Sequence, residues 1–352
     1  MIQLSNETLA LIEDVERRID TDTEDDFRKR WEDFLYGKFD GDIFKVKRKK
    51  LSGSELNIAP VHINDAISDY DLMIRSELLG VSAALNSQTR NLCMRANYGT
   101  GIVSSMFGAE LFTMPRHANT LPTTRSANDT EWIREAVERG IPAQNSGLGK
   151  NVMEFADICA EVFSKYPKIS KYVAMYHPDL QGPLDNCELL WGGEMFYTMY
   201  DEPELVHAML SLITDTYRMM MDKWFDLFRP NDDINVHWGN LWHRGKIMLR
   251  CDSAMNISPE MYEEFSVPYD KLLLERYDGG AMHFCGRGDH YIEALSGIPG
   301  LMGVNISQPE YNDMEKIYRH TVDRGIMILG FHSERAEADK HRTGGFRHRL
   351  SV

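Results

Sequence analysis

The sequence predicts an α/β fold, a (β/α)8 TIM barrel preceded by an N-terminal helical extension. Strand-like and helix-like segments alternate from about residue 150 onward, and the strand-like segments end in polar residues. Alternation of this kind is typical of βα units on a parallel sheet, and polar strand ends are typical of barrel enzymes. We therefore predict an extension over residues 1–90, packed on a barrel over residues 91–352.

The helices follow from apolar residues at helical spacing. The clearest stripes lie in residues 151–163 and 204–228, and Pro203 precedes the second, where its missing N–H costs nothing. Ser258 and Pro259 open a further helix as N-cap and first-turn proline, and Pro268 is expected to split it. Shorter helices are predicted over residues 7–19, 289–295 and 311–323.

Seven short β-rich runs predict the strands, and an eighth run is weaker. The seven are residues 91–96, 172–176, 234–238, 247–251, 281–285, 301–306 and 326–330, and the weaker one is 110–114. Eight parallel strands would close a barrel. A dinucleotide-binding or P-loop fold is the alternative, but no GxGxxG or GxxxxGK[ST] motif follows any strand.

Composition excludes several classes of protein. The 54 acidic and 39 basic residues give a net charge of −15, which repels phosphate backbones, so we expect no nucleic-acid partner. No run approaches the roughly 20 apolar residues of a membrane span, and the first residues lack a signal-peptide pattern. Five cysteines without CxxC spacing predict reduced thiols in a cytoplasmic protein.

Polar side chains follow five consecutive predicted strands. In barrel enzymes such strand ends form one active-site rim, so we expect these residues to converge on a single pocket. Asp252 is either a general acid/base or the cap of the next segment, and His237 and Trp238 either line the pocket or pack at its edge. The candidate catalytic residues are Asp252, Ser253 and His332, and the candidate substrate-binding residues are His237, Trp238, Asn305 and Gln308.

His283 and Cys285 form the sharpest element of this rim. Residues two apart on a strand point to the same side, so an imidazole and a thiolate would meet at one point. These two groups make half of a tetrahedral zinc site, and Cys251 or His332 on a flanking strand would supply a third ligand. The alternative is a hydrogen-bonded core histidine beside an inert buried cysteine.

An ordered series of motifs resembles the uroporphyrinogen decarboxylase superfamily over about residues 90–335. The series comprises Gly-Pro-Leu at 182–184, Gly-Gly-Glu at 192–194, Asp-Glu-Pro-Glu-Leu-Val at 201–206, Asp-Ser at 252–253, the segment 257–265, Pro-Tyr at 268–269 and His-Phe-Cys-Gly at 283–286. The resemblance implies a (β/α)8 barrel whose active cleft lies at the carboxyl ends of the strands.

The superfamily holds two chemistries, and the chain is more similar to its zinc-dependent, corrinoid-linked methyltransferases. In that branch, the resemblance assigns His283 and Cys285 to zinc, while Phe331-His332 stands about where the family has a third, cysteine ligand. In the decarboxylase branch, Ser253 and His332 match a serine and a histidine of the family. The family's arginine-rich segment is absent, and Asn97-Tyr98-Gly99 stands where an aspartate is expected.

We therefore predict zinc-dependent methyl transfer between a methylated donor or corrinoid and a thiol or corrinoid acceptor. A corrinoid would be a substrate, and a corrinoid protein would be a partner. Two alternatives stay open: decarboxylation of a tetrapyrrole in porphyrin biosynthesis, and a non-catalytic tetrapyrrole- or corrinoid-binding protein. The substrate would be a small molecule or a tetrapyrrole, and a homodimer is compatible with the sequence.

Overall fold

A computed structural model describes residues 2–49, 51–230 and 232–352. Its strands are β1 Ile43–Phe44, β2 Cys93–Met94, β3 Leu111–Phe112, β4 Thr123–Thr124, β5 Ala174–Met175, β6 Ile234–His237, β7 Leu241–Arg244, β8 Ile247–Arg250, β9 Gly280–Phe284, β10 Leu301–Ile306, β11 Met327–Ile328 and β12 Leu350–Ser351. Its helices are α1 Asn6–Arg18, α2 Thr21–Leu35, α3 Ile63–Ala66, α4 Tyr70–Asn86, α5 Ile102–Met106, α6 Thr130–Arg139, α7 Gly147–Phe163, α8 Pro167–Tyr172, α9 Pro183–Trp191, α10 Glu194–Asp201, α11 Pro203–Phe228, α12 Pro259–Phe265, α13 Val267–Arg276, α14 Ile292–Ser296, α15 Met314–His320 and α16 Ser333–Asp339.

A six-stranded parallel sheet forms the centre of the fold, in the order β1-β12-β11-β10-β9-β8. Its register places Arg250 beside His283 and His283 beside Asn305. β2 and β5 form a separate parallel pair. The predicted α/β class is confirmed, whereas among the described residues the strands do not form one closed eight-stranded sheet.

Two predicted strands of the barrel have different partners. Residues 234–238 contain β6, which pairs antiparallel with β7, a strand that was not predicted. The weak run at 110–114 contains β3, which pairs antiparallel with β4. Apolar content marks a run as extended but does not choose its neighbour. A short turn lets β6 pair with β7, and a longer connection over residues 113–122 brings β4 back to β3.

The N-terminal extension contributes a strand to the sheet. β1 pairs with β12, so chain segments from both ends of the sequence lie side by side. Neither strand was predicted, because a two-residue strand is too short to show an alternating pattern. The predicted helix over residues 7–19 is confirmed as α1, whose N-cap Ser5 accepts the backbone N–H of Thr8.

The long helices agree with the apolar pattern. α7 and α11 cover the two predicted stripes, and α11 buries Met209, Ile213 and Trp224 along one face. The predicted split is also confirmed, since α12 ends at Phe265 and α13 begins two residues later, with Pro268 in its first turn. No helix of the described segments is long and apolar enough to cross a membrane.

Two apolar clusters mark the two faces of the sheet. Leu249, Met282 and Val304 belong to the larger cluster, which includes the helices that cover the sheet. The alternate residues Met248 and Ala281 belong to a second cluster with side chains of α2 and the β6–β7 hairpin. Side chains therefore alternate between the faces as strand geometry requires, and this alternation positions the polar residues described next.

Candidate functional site

The carboxyl ends of β8 and β9 bring together Asp252, His283 and Cys285. One potential ligand atom from each residue lies within 4.8 Å of the other two. The Nε2 atom of His283 is 3.4 Å from the Sγ atom of Cys285 and 3.8 Å from Oδ1 of Asp252. The two residues of the His-x-Cys motif thus point to the same side, and an acidic side chain joins them.

The orientation of the His283 ring is set by Asn305. The ring Nδ1–H donates to Oδ1 of Asn305 at 2.7 Å, and the Asn305 amide nitrogen donates to the carbonyl of Leu329 at 2.6 Å. Because the amide uses its oxygen for one bond and its nitrogen for the other, Nδ1 of His283 carries the proton and Nε2 presents its lone pair. Metal-binding histidines commonly donate their second nitrogen in this way.

Burial affects the protonation of both residues of the motif. It lowers the pKa of His283, although the nearby Asp252 raises it, so the imidazole is favoured in its neutral form. Burial raises the pKa of the Cys285 thiol, while a hydrogen bond with Ser307 lowers it. A metal that binds here would therefore displace a proton from Cys285, because the thiolate is the ligand.

The carboxylate of Asp252 is fixed from the neighbouring strand. Its Oδ1 accepts the backbone N–H of Cys285 at 2.6 Å. The Asp252 side chain is 44% exposed while that of His283 is only 10% exposed, so the group is open on the side of Asp252. Asp252 stands at the N-cap position of the segment that follows it, but its side chain makes no capping hydrogen bond there and contacts the His-x-Cys segment instead.

Two of the separations between ligand atoms are close to those of a tetrahedral metal site. Zinc bonds of about 2.0 Å to nitrogen or oxygen and about 2.3 Å to sulfur separate tetrahedral ligand atoms by about 3.3–3.5 Å. The separations of 3.4 Å from Sγ of Cys285 and 3.8 Å from Oδ1 of Asp252 to Nε2 of His283 are close to these values. Three protein ligands leave a fourth position for water or substrate, as in catalytic zinc sites.

Cys251 does not join this group, contrary to its assignment as a ligand. Its Sγ lies 3.5 Å from Oγ of Ser266, between α12 and α13, and the residue is only 1% exposed. Arg250 lies beside His283 in the sheet, so the next residue along β8 points to the opposite face, toward the helices. Asp252 is the residue that the structure places with His283 and Cys285.

His332 also lies outside the group of potential ligands. It is exposed and occupies the N-cap position of α16, without a capping hydrogen bond from its side chain. Ser253 is buried, and its backbone N–H donates to a carboxylate of Asp185. Gln308 accepts the backbone N–H of Gly286 at 2.5 Å and so holds the loop that follows Cys285.

The indole ring of Trp238 packs beside the imidazole ring of His283. Their ring centroids are 4.9 Å apart with the planes nearly perpendicular, and the guanidinium of Arg250 lies 5.1 Å from the Trp238 ring. The backbone of Trp238 has φ of +51°, a left-handed conformation that costs a bulky residue about 1–2 kcal/mol. His237 is fully buried, and its Nε2 accepts from Arg250 at 2.8 Å.

A buried ion-pair network beside His237 was missed by sequence reasoning. Nε of Arg250 lies 2.7 Å from Oδ1 of Asp179, and Arg95 lies 3.2 Å from Oδ2 of the same carboxylate. An arginine within the otherwise apolar run of β8 was the available signal, since buried arginines need a paired charge. The network fixes Arg250 and thereby the Trp238 ring against which it packs.

A cavity of about 690 Å³ lies away from this site. Glu24, Arg48, Val173, Asn235 and Trp242 are among its lining residues, whereas Asp252, His283 and Cys285 are not. We expect a pocket at the strand ends, and this cavity lies elsewhere.

Comparisons with known proteins find similarity in structure and no match in sequence. No protein-family model matches the chain, and no curated protein is significantly similar in sequence. Among solved structures, the chain is similar to a methyltransferase from Methanosarcina mazei, with a TM-score of 0.61 and 14% identity. The similarity covers 92% of this chain and 91% of that chain, and at this identity it establishes a shared fold.

Proposed function

We propose that this protein is a zinc-dependent methyltransferase that methylates a thiol. The observation that carries the proposal is the convergence of Asp252, His283 and Cys285, with the His283 lone pair directed into the group. One sulfur, one nitrogen and one oxygen ligand suit zinc, and three ligands leave a position for the substrate. The shared fold with a methyltransferase supports this class of reaction.

The chemistry needs a substrate thiolate at neutral pH. Zinc held at this site would lower the pKa of a thiol that binds at its open position. The sulfur of that thiol would attack the methyl carbon of the donor, so that a sulfur–carbon bond forms as the bond from methyl to donor breaks. With a methylated corrinoid as the donor substrate, the electron pair of the broken bond would leave with the corrinoid, and a corrinoid protein would present that substrate. Asp252, His283 and Cys285 would hold the zinc, and the Trp238 ring shields the His283 side of the group.

Metal content tests the proposal directly. The protein purified without added metal should contain about one zinc ion per chain, and His283→Ala and Cys285→Ala should abolish its retention. His332→Ala is the matched control, because His332 lies outside the group and its replacement should leave zinc content unchanged. Zinc retained by both ligand variants, or none bound by the unmodified protein at saturating zinc, would contradict the proposal.

Methyl transfer is then measured with simple substrates. Methylcobalamin serves as donor and 2-mercaptoethanol as acceptor, and the reaction is followed by the absorbance change of the corrinoid and by detection of the S-methyl product. The zinc-loaded protein should accelerate product formation, whereas the His283→Ala protein should not. A zinc-loaded protein that binds methylcobalamin without any transfer would favour the corrinoid-binding alternative.

We propose further that the two parallel sheets are parts of one (β/α)8 barrel. Six strands in one sheet and two in the other give eight. Next to β8, the Met248 N–H donates to Nε2 of His177, two residues after β5, at 3.0 Å. Between β1 and β2, the guanidinium of Arg48 donates to the carbonyl of Arg90 at 2.6 Å. Side chains thus link the sheets where strand pairing is missing, and an experimental structure should show β5 adjacent to β8.

A further inference from the structure

The turn that carries Asp252 is held by a buried carboxylate on α9. Oδ2 of Asp185 accepts the backbone N–H of Asp252 at 3.1 Å, and Oδ1 accepts the backbone N–H of Ser253 at 2.8 Å. Asp185 is only 3% exposed. Each N–H therefore finds a carboxylate oxygen at the point where β8 ends and strand pairing ceases.

The start of α9 is in close contact with the end of β8. A Cβ atom on Gly182 would lie 2.1 Å from the carbonyl oxygen of Arg250, so only glycine permits this approach. Asp185 follows in the first turn of α9, which brings its carboxylate to the two N–H groups. Across the described residues, the nearby arginines Arg95 and Arg250 pair with Asp179, and no lysine or arginine forms an ion pair with Asp185. A buried carboxylate that accepts from two backbone N–H groups without a paired cation is costly, which points to a role beyond packing.

The contacts continue from Asp185 to the candidate ligands. Asp185 holds the backbone of Asp252, and the side chain of Asp252 accepts the N–H of Cys285. Asp252 is thus fixed at its backbone by α9 and at its carboxylate by the segment after β9. If the backbone attachment is lost, the carboxylate keeps its hydrogen bond from the Cys285 N–H, but the backbone of Asp252 can shift and move the side chain, which is 44% exposed, relative to His283.

We propose that Asp185 is a positioning residue of the metal site, which acts by holding Asp252 in ligand geometry. The inference rests on the proposed function, since it concerns the affinity of the same three-residue site for zinc. Groups that orient metal ligands typically change metal affinity by 10–100-fold when they are replaced.

The first experiment compares Asp185→Asn with Asp270→Asn in the full-length protein. An asparagine at 185 turns an NH2 group toward one of the two backbone N–H groups, so one hydrogen bond is lost with almost no change in volume. Asp270 is the matched control, because it is also a buried carboxylate, 1% exposed, but accepts from the hydroxyl of Ser266 at 2.8 Å on α13. Zinc affinity, measured by competition with a chromophoric chelator, should fall 10–100-fold in Asp185→Asn and stay within twofold in Asp270→Asn.

A double-mutant cycle separates positioning from a general loss of structure. If Asp185 acts through Asp252, then Asp185→Asn should weaken zinc binding in the unmodified protein but cause no further loss in an Asp252→Ala background. An equal loss in both backgrounds would overturn the inference, because it would show that Asp185 acts independently of Asp252. Melting temperatures of the metal-free proteins check that Asp185→Asn is fully folded at the temperature of the zinc measurement.

The outcomes for the two proposals are distinguishable. Normal zinc binding by the unmodified protein together with unchanged affinity in Asp185→Asn overturns the positioning role alone. Equal losses in Asp185→Asn and Asp270→Asn also overturn it, because burial and not contact with Asp252 would then decide the effect. Failure of the unmodified protein to bind zinc overturns the proposed function, and the positioning role with it.

Discussion

Replacing Asn305 tests how the His283 ring is prepared for a metal. Asn305→Ala leaves two buried polar groups without partners, the Nδ1–H of His283 and the carbonyl of Leu329. An unsatisfied buried donor or acceptor costs about 1–3 kcal/mol, so the metal-free protein should lose about 2–6 kcal/mol of unfolding free energy. The ring also loses the bond that fixes its tautomer, and zinc affinity should fall 10–100-fold, which corresponds to about 1.4–2.8 kcal/mol.

Asn305→Asp is the variant that separates these two effects. An aspartate keeps an oxygen acceptor for the Nδ1–H of His283, but it cannot donate to the carbonyl of Leu329. Zinc affinity should therefore stay close to that of the unmodified protein, since carboxylates also orient metal-binding histidines. The unfolding free energy of Asn305→Asp should nevertheless fall, because the Leu329 carbonyl is left unpaired in both variants.

Two measurements on the same samples separate the effect on zinc binding from the effect on stability. Zinc affinity comes from competition with a chromophoric chelator, and the unfolding free energy of the metal-free protein comes from urea denaturation. If Asn305→Ala and Asn305→Asp bind zinc with the same affinity, the hydrogen bond to His283 does not prepare the ring, and the argument from the tautomer is wrong.

Three further predictions concern stability. Burial lowers the pKa of His177 to about 3 and of His243 to about 4, so below pH 6.5 the unfolded chain binds more protons than the folded chain. Unfolding free energy should therefore fall as pH drops from 6.5 toward 4, and less steeply in His243→Gln; equal urea-denaturation profiles would contradict this. Burial raises the pKa of Asp270 from 3.8 to about 7, so ionisation of this carboxyl destabilises the folded protein more and more from pH 4 to pH 7. Between pH 4 and pH 8, the unfolding free energy of Asp270→Asn should therefore rise by up to about 4 kcal/mol relative to that of the unmodified protein. Arg48 pairs with Glu24 at 2.9 Å with both side chains buried, so Arg48→Leu should cost about 3–5 kcal/mol in chemical denaturation, and adding Glu24→Gln should recover part of that loss.

The regular elements of the fold were largely determined by local sequence. The apolar stripe of α11 and the proline that separates α12 from α13 are local signals, and the structure contains both features. β9 and β10 are buried along almost their whole length and were predicted from short apolar runs. Apolar spacing and the effect of proline on the backbone depend on residues a few positions apart, so helices and strands can be predicted from them without knowing the tertiary structure.

Strand partners were decided by the tertiary structure. β6 has the composition of a sheet strand, but it pairs with β7 in a hairpin. β1 and β12 come from opposite ends of the chain and have no pattern of their own, yet they extend the central sheet. Pairing depends on which backbone groups a strand meets in three dimensions, and that information is not local.

The candidate site shows the same division. The spacing of His283 and Cys285 determined that their side chains share one face, because strand side chains alternate with a period of two. The third residue of the group depended on the register between β8 and β9, which places Arg250 beside His283 and therefore turns Cys251 toward the helices. Asp252 then meets the His-x-Cys pair because Asp185, on a helix about 70 residues earlier in the chain, holds its backbone. Register and long-range hydrogen bonds exist only once the sheet and its helices have assembled. The sequence therefore predicted Asp252, His283 and Cys285 at one rim, and the tertiary structure decided that Asp252 and not Cys251 joins the pair.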